Sequence, residues 1–152
     1  MCKQMLRILI SILIIFFFTN SSFSQNEYFL TLRYDVVHLR QGPSKEYPIK
    51  ILYKKKFLPV LIQDKSDNFR KIRDHENNSG WIHISQLSKK KAAIVIDEKL
   101  IMFQKPTIYS EPIVILKKGR LIKIKKCKED WCKANTGNYK GWLKKDSLWG
   151  LL

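Results

Sequence analysis

This chain has little of what most catalytic sites are built from. Its 152 residues hold only three histidines and three cysteines, and 13 carboxylates against 29 basic side chains. The histidines, His38, His75 and His83, all precede residue 84, whereas Cys127 and Cys132 lie far downstream. A zinc site wants four converging ligands, so this distribution argues against a metal centre. The Cys-x-x-Cys spacing of a redox dithiol is absent, and no Ser-His-Asp or paired-carboxylate spacing stands out. No enzyme activity, metal or cofactor is expected. Long apolar runs are missing too. The longest, Ile8 to Phe18, is broken by Ser11 and is short against the roughly 20 residues that span a bilayer. Beyond it, no stretch keeps a helical period for three turns.

That apolar run follows Lys3 and Arg7 and precedes the small, polar stretch Thr19 to Ser24. This is the pattern of a secretory signal, with cleavage expected after Ser24 and residues 1–24 removed. An uncleaved membrane anchor is the alternative. Cys2 lies ahead of the apolar run, whereas the acylated cysteine of a lipoprotein would follow it. An unlipidated, periplasmic protein beginning near Gln25 is therefore expected.

The formal net charge is +16, carried by 23 Lys and only 6 Arg. An exported chain rarely meets nucleic acid, and base-edge recognition leans on the arginine fork, so no nucleic-acid partner is expected. Anionic wall polymers, lipid headgroups or lipopolysaccharide suit the compartment better. Solvated lysines that keep a strand-rich protein soluble and blunt its sheet edges are the plainer explanation for the same charge.

The chain repeats its own plan. Gly80-Trp81-Ile82 recurs as Gly141-Trp142-Leu143, and Leu87 as Leu148, at an offset of 61. Pro48-Ile49-Lys50-Ile51-Leu52 matches Pro112-Ile113-Val114-Ile115-Leu116 at an offset of 64. Two copies of so long a unit indicate tandem small domains, not a solenoid. Residues 25–91 and 92–152 form the two units, joined at Lys89-Lys90-Lys91. Short branched or aromatic runs predict strands at Val37 to Arg40, Leu58 to Ile62, Phe69 to Ile72, Trp81 to Ile84, Leu121 to Ile124 and Trp131 to Ala134. Turns are predicted at Gln41 to Ser44, Asp64 to Asn68, Asn77 to Gly80, Lys117 to Gly119 and Asn135 to Asn138. The fold class is all-β: two compact antiparallel barrels of five or six strands each.

Val37-His38-Leu39-Arg40-Gln41-Gly42-Pro43-Ser44, then Tyr47-Pro48-Ile49, Phe69-Arg70-Lys71-Ile72 and Gly80-Trp81-Ile82 resemble the bacterial SH3-like (SH3b) domain. The second copy keeps Pro106, Trp131-Cys132-Lys133, Gly141-Trp142 and Leu148-Trp149-Gly150, with Phe103-Gln104-Lys105 replacing the Arg-x-Gly of the opening loop. Lys55 is read as standing where Gly119 serves the second copy. The pairing, with Cys-x4-Cys in copy two, looks like the tandem SH3-like proteins that some Gram-negative bacteria export.

Cys127 and Cys132 enclose only Lys128 to Asp130 and Trp131, a tight turn between strands. An even pair across a hairpin at an oxidising address reads as a disulfide. In the SH3-like family some aromatics line a groove that takes cell-wall peptides. The resemblance thus makes Tyr47, Tyr109, Phe69, Trp131, Trp81 and Trp142 candidate ligand-binding residues. Packing in the barrel core is the competing role for Trp81 and Trp142, because large aromatics dominate the energetics of small cores. The three histidines look scattered over strands and a polar loop, without a catalytic role. The expected function is an exported, non-enzymatic binding module for peptidoglycan or another wall polymer. A periplasmic protein-interaction adaptor is the alternative.

Overall fold

The computed structural model describes residues 26–152, so the expected signal peptide and its cleavage site lie outside the described residues. Two seven-stranded antiparallel sheets follow one another along the chain. The first comprises β1 Tyr28–Leu32, β2 Val37–Arg40, β3 Ile49–Tyr53, β4 Pro59–Ser66, β5 Phe69–Arg73, β6 Ser79–His83 and β7 Leu87–Ser88. The second comprises β8 Ala92–Val95, β9 Lys99–Phe103, β10 Pro112–Lys117, β11 Leu121–Lys128, β12 Trp131–Thr136, β13 Tyr139–Lys144 and β14 Leu148–Trp149. Spatial order is β3-β2-β6-β5-β4-β1-β7 in one and β10-β9-β13-β12-β11-β8-β14 in the other. The repeat in sequence is thus a repeat in topology. Among the described residues the helical structure is one 3-10 turn, Ile84–Gln86, and the all-β expectation holds.

Each sheet has seven strands, not five or six. The two-residue strands β7 and β14 are too short for an alternating pattern to show, yet each pairs with the strand that opens its barrel. The repeat register also differs from the sequence match. Arg40 pairs with Ile49 and Phe103 with Pro112, so β2 and β3 superpose on β9 and β10 at an offset of 63, not 64. Over β4 and β5 the offset is 62, and over β6 and β7 it is 61. Phe57, not Lys55, holds the position of Gly119. Phe57 has φ 66° and Gly119 φ 79°. Their N–H groups donate to the equivalent carbonyls of Leu32 and Val95, at 2.9 and 2.8 Å.

Two turns also lie elsewhere than predicted. β4 runs on through Asp64 to Ser66 because a bulge between Ile62 and Asp64 absorbs the polar residues, and the chain reverses only at Asp67-Asn68. The β5–β6 turn centres on Asp74, not on Asn77 to Gly80. Asp74 is buried and accepts from the backbone N–H of Glu76 and Asn78, the Asn78 side-chain amide and the Tyr53 hydroxyl. Its side chain thereby closes the turn as an Asx motif and satisfies groups that water cannot reach.

Alternation fills the interior. Val37, Leu39, Val60, Ile72 and Ile82 build the first core, and Met102, Ile122, Cys132, Ala134 and Leu143 the second. The interiors are not independent. Ile94, from β8 of the second sheet and 1% exposed, belongs to the first core, and Leu121 packs against it. Phe29 meets Trp149 edge to face at 4.9 Å. Cys127 and Cys132 stand directly opposite each other at the end of the β11–β12 hairpin and are disulfide-bonded, as the sequence predicts.

Candidate functional site

Successive side chains of a strand point to opposite faces, and residues paired across a ladder share one. In β6, Gly80 and Ile82 are buried in the core, which turns Trp81 to the outer face. Trp142 stands likewise between buried Gly141 and Leu143. Neither tryptophan is a core residue. Glycine lies beside each because the core leaves no room for more: a Cβ on Gly80 would sit 2.6 Å from Arg40 O, and one on Gly141 2.6 Å from Met102 Cγ.

On the outer face of the first barrel, Trp81 pairs with Arg40 on one side and Lys71 on the other, and Phe69 pairs with His83. Phe69 is 7% exposed although it faces away from Ile72 and Ile82, because the His83 ring covers it edge-on at 5.1 Å. A cleft of about 300 Å³ opens here, lined by His38, Arg40, Lys45, Phe69, His83, Ser85 and Gln86. His83 Nδ1 accepts from the Ser85 N–H and lies 2.7 Å from the Ser85 hydroxyl, which leaves Nε2 as the donor of the neutral ring. Arg40 Nη1 donates to Tyr47 O at 2.8 Å and ties the opening loop to the cleft. The Tyr47 ring lies over Gly42, where a Cβ would come within 2.6 Å of it, and the tyrosine remains 47% exposed.

The second barrel uses the same face differently. Phe103 occupies the position of Arg40, pairs with Trp142, and packs edge to face on Trp131 at 5.8 Å. The ammonium groups of Lys126 and Lys133 each lie 6.0 Å from the Trp142 ring. A charged, hydrogen-bonding cleft in one copy corresponds to an aromatic cluster with a cationic rim in the other.

Five of the six candidate aromatics thus gather on equivalent outer faces: Phe69 and Trp81 with the loop residue Tyr47 in barrel one, Trp131 and Trp142 in barrel two. Tyr109 stands apart, 91% exposed, with its N–H donating to Thr107 Oγ1. The two tyrosines are not equivalent, since the loops superpose at an offset of 63 and place Tyr109 opposite Glu46.

A family model described as the bacterial SH3 domain matches residues 33–89 and again 97–150. The chain belongs to that family. No curated protein matches it. Solved structures that it resembles include NlpC2 from Trichomonas vaginalis, at 14% identity and TM-score 0.37, covering 82% of this chain and 48% of that one. NlpC1 from the same organism matches at 15% identity and TM-score 0.37, covering 84% and 47%. The chain spans about half the length of these structures.

Sequence reasoning missed that His38 and His83, 45 positions apart, line one cleft with Arg40 and Lys45. The signal was partly present. Val37 and Leu39 are apolar around His38, as are Ile82 and Ile84 around His83, which turns both histidines outward. That β2 and β6 are neighbours is a fact of topology.

Proposed function

We propose that this protein is a non-catalytic binding module of the cell envelope, acting in the periplasm, with peptidoglycan or another wall polymer as its ligand. The observation that carries the reading is the first barrel's outer cleft, which Phe69 lines together with Arg40, Lys45 and His83, and where Arg40 also holds the carbonyl of half-exposed Tyr47. Wall peptides present carboxylates and amides on a largely extended backbone. Arg40 and Lys45 match the carboxylates, His83 and Ser85 offer hydrogen bonds, and Tyr47 gives a flat amphipathic surface at small entropic cost. The Cys127–Cys132 bond supports an oxidising address and commits both sulfurs to structure. The mature chain on purified sacculi is the test. We expect retention on bare sacculi that Lys45→Ala reduces severalfold, and an equal pull-down by that variant would refute the assignment of the cleft.

The adaptor reading has its own observation. The second barrel exposes Ile108, Tyr109 and Ile115, at 56%, 91% and 58%, apolar side chains that a partner protein would cover. Retention of defined envelope proteins by a Tyr109-dependent contact, without retention on sacculi, would put this reading first.

A further inference from the structure

A second cleft, of about 680 Å³, lies between the β3–β4 loop of the first barrel and the second barrel. Five cations line it, Lys55, Lys118, Arg120, Lys123 and Lys125, and no carboxylate does among the described residues. Lys118 pairs with Glu98 at 3.2 Å, an exposed pair that contributes little, whereas the other four form no ion pair among the described residues. Lys55 Nζ reaches across the seam to Gly119 O at 3.4 Å. Concentrating like charge in this way costs free energy unless a counter-charge relieves it.

The cleft is also built. Arg120 Nε donates to Thr136 Oγ1 at 2.8 Å, and the buried threonine hydroxyl donates in turn to Leu121 O at 3.1 Å. Arg120 Nη2 stands over Gly137, which has φ 53° and would bring a Cβ to 3.4 Å from it. The guanidinium is thus oriented through Nε, with Nη donors left for a ligand. Lys123 is steadied from the other side, its ammonium 4.6 Å from the Phe57 ring, which also carries Lys56 and Lys90 at 5.6 Å each. Phe57 presents that ring from a left-handed backbone that bulky residues rarely adopt.

We propose that this seam cleft binds closely spaced phosphate groups, as found on an oligophosphate or a multiply phosphorylated lipid headgroup. A single carboxylate does not call for five cations. Phosphate oxygens combine high charge density with the bidentate geometry that a held guanidinium reads, while lysines act as point charges around it. The site is separate from the wall-polymer cleft and stands or falls independently of it.

Titration calorimetry of the mature chain with inorganic tripolyphosphate tests this, alongside sedimentation with phosphatidylcholine vesicles with and without cardiolipin. We expect saturable binding that Arg120→Ala and Lys123→Ala each weaken about tenfold or more. Arg120→Lys, which keeps the charge and loses the fork, should fall in between. Lys65→Ala and Lys144→Ala, outside the cleft, should stay within about twofold of the parent. Matching circular dichroism and thermal unfolding identify variants that retain the fold. Arg120-dependent binding to tripolyphosphate alone identifies a soluble ligand, and Arg120-dependent binding to cardiolipin vesicles identifies a headgroup. The proposal is overturned if neither probe binds saturably, or if the outside lysines matter as much as Arg120 and Lys123.

Discussion

Phe57 and Gly119 hold the same left-handed backbone position in the two barrels, one with a ring and one with no side chain. A left-handed residue costs about 1 to 2 kcal/mol unless it is glycine, so only the second barrel meets the turn without strain. Nothing lies within 4 Å of a Cβ built on Gly119. Gly119→Ala should therefore cost about 1 kcal/mol through the backbone alone. Gly141→Ala, at a position where a Cβ would lie 2.6 to 2.8 Å from Met102, Phe103 O and Ile113, should cost about 3 kcal/mol by overpacking. Urea denaturation of the two variants should reproduce this order.

Ile94 is the second barrel's contribution to the first barrel's core. Removing three of its carbons leaves a cavity that neither barrel can close alone, so Ile94→Ala should cost about 3 kcal/mol. The parent should unfold in a single transition by calorimetry, its midpoint lowered as a whole in the variant. Two separated transitions in the parent would show that the shared core does not couple the barrels.

The disulfide closes a very short loop, and its chain-entropy contribution is correspondingly small, about 2 kcal/mol. Cys132 is fully buried beside Ala134 and Leu143, whereas Cys127 is exposed. Cys127→Ser with Cys132→Ala removes the bond without placing a hydroxyl in the core. It should fold and lose about that amount in urea, and the non-reduced parent should weigh two hydrogens less than the reduced one.

Tyr53 is buried with its hydroxyl donating to Asp74 at 2.8 Å. Burial first, then that hydrogen bond and the charges of Asp74 and Glu76, push its ionisation far above the ordinary phenol value of 10.0. The folded state thus keeps the phenol neutral where the unfolded chain would ionise it. This contribution is intact below pH 10 and is lost progressively as pH rises further, by at most about 1.4 kcal/mol per pH unit. Tyr53→Phe should be less stable than the parent at pH 7 by about 1 to 3 kcal/mol, and the gap should narrow above pH 10. A constant gap in urea midpoints across that range would contradict the assignment.

What the sequence revealed and concealed follows from the range of each signal. Gly80-Trp81 and Gly141-Trp142 announced the repeat because a glycine forced by close packing and a large aromatic are both rare letters. Val37 to Arg40 was legible to its ends because four residues alternate cleanly between core and surface. Pro112 to Lys117 and Ala92 to Val95 carried no such alternation, the latter being buried throughout, and neither was predicted as a strand. The site was legible as a set of aromatics and not as a surface. Arg40 beside Trp81, and His83 over Phe69, are ladder pairings between distant segments. Phe57 concealed itself completely, since nothing in a lone phenylalanine between Lys56 and Leu58 marks a left-handed turn.

Charge and shape make separable contributions to any envelope binding. With 27 basic residues against 13 acidic after residue 24, encounter with an anionic polymer is steered by the whole surface. That part fades as the Debye length shrinks from about 10 Å at 0.1 M salt to about 3 Å at 1 M. Contacts made in the cleft of Phe69, His83 and Arg40 are desolvated and survive screening better. Binding to sacculi should accordingly weaken at 1 M salt without vanishing. Tyr47→Ala should reduce the remainder severalfold, because it removes the half-exposed ring that packs over Gly42 in the opening loop, the loop whose backbone Arg40 ties to the cleft. Tyr109→Ala should leave that remainder unchanged, since Tyr109 projects into solvent from the other barrel. Complete loss of binding at high salt, or equal effects of the two tyrosines, would mean that lysine charge alone holds the protein to the wall.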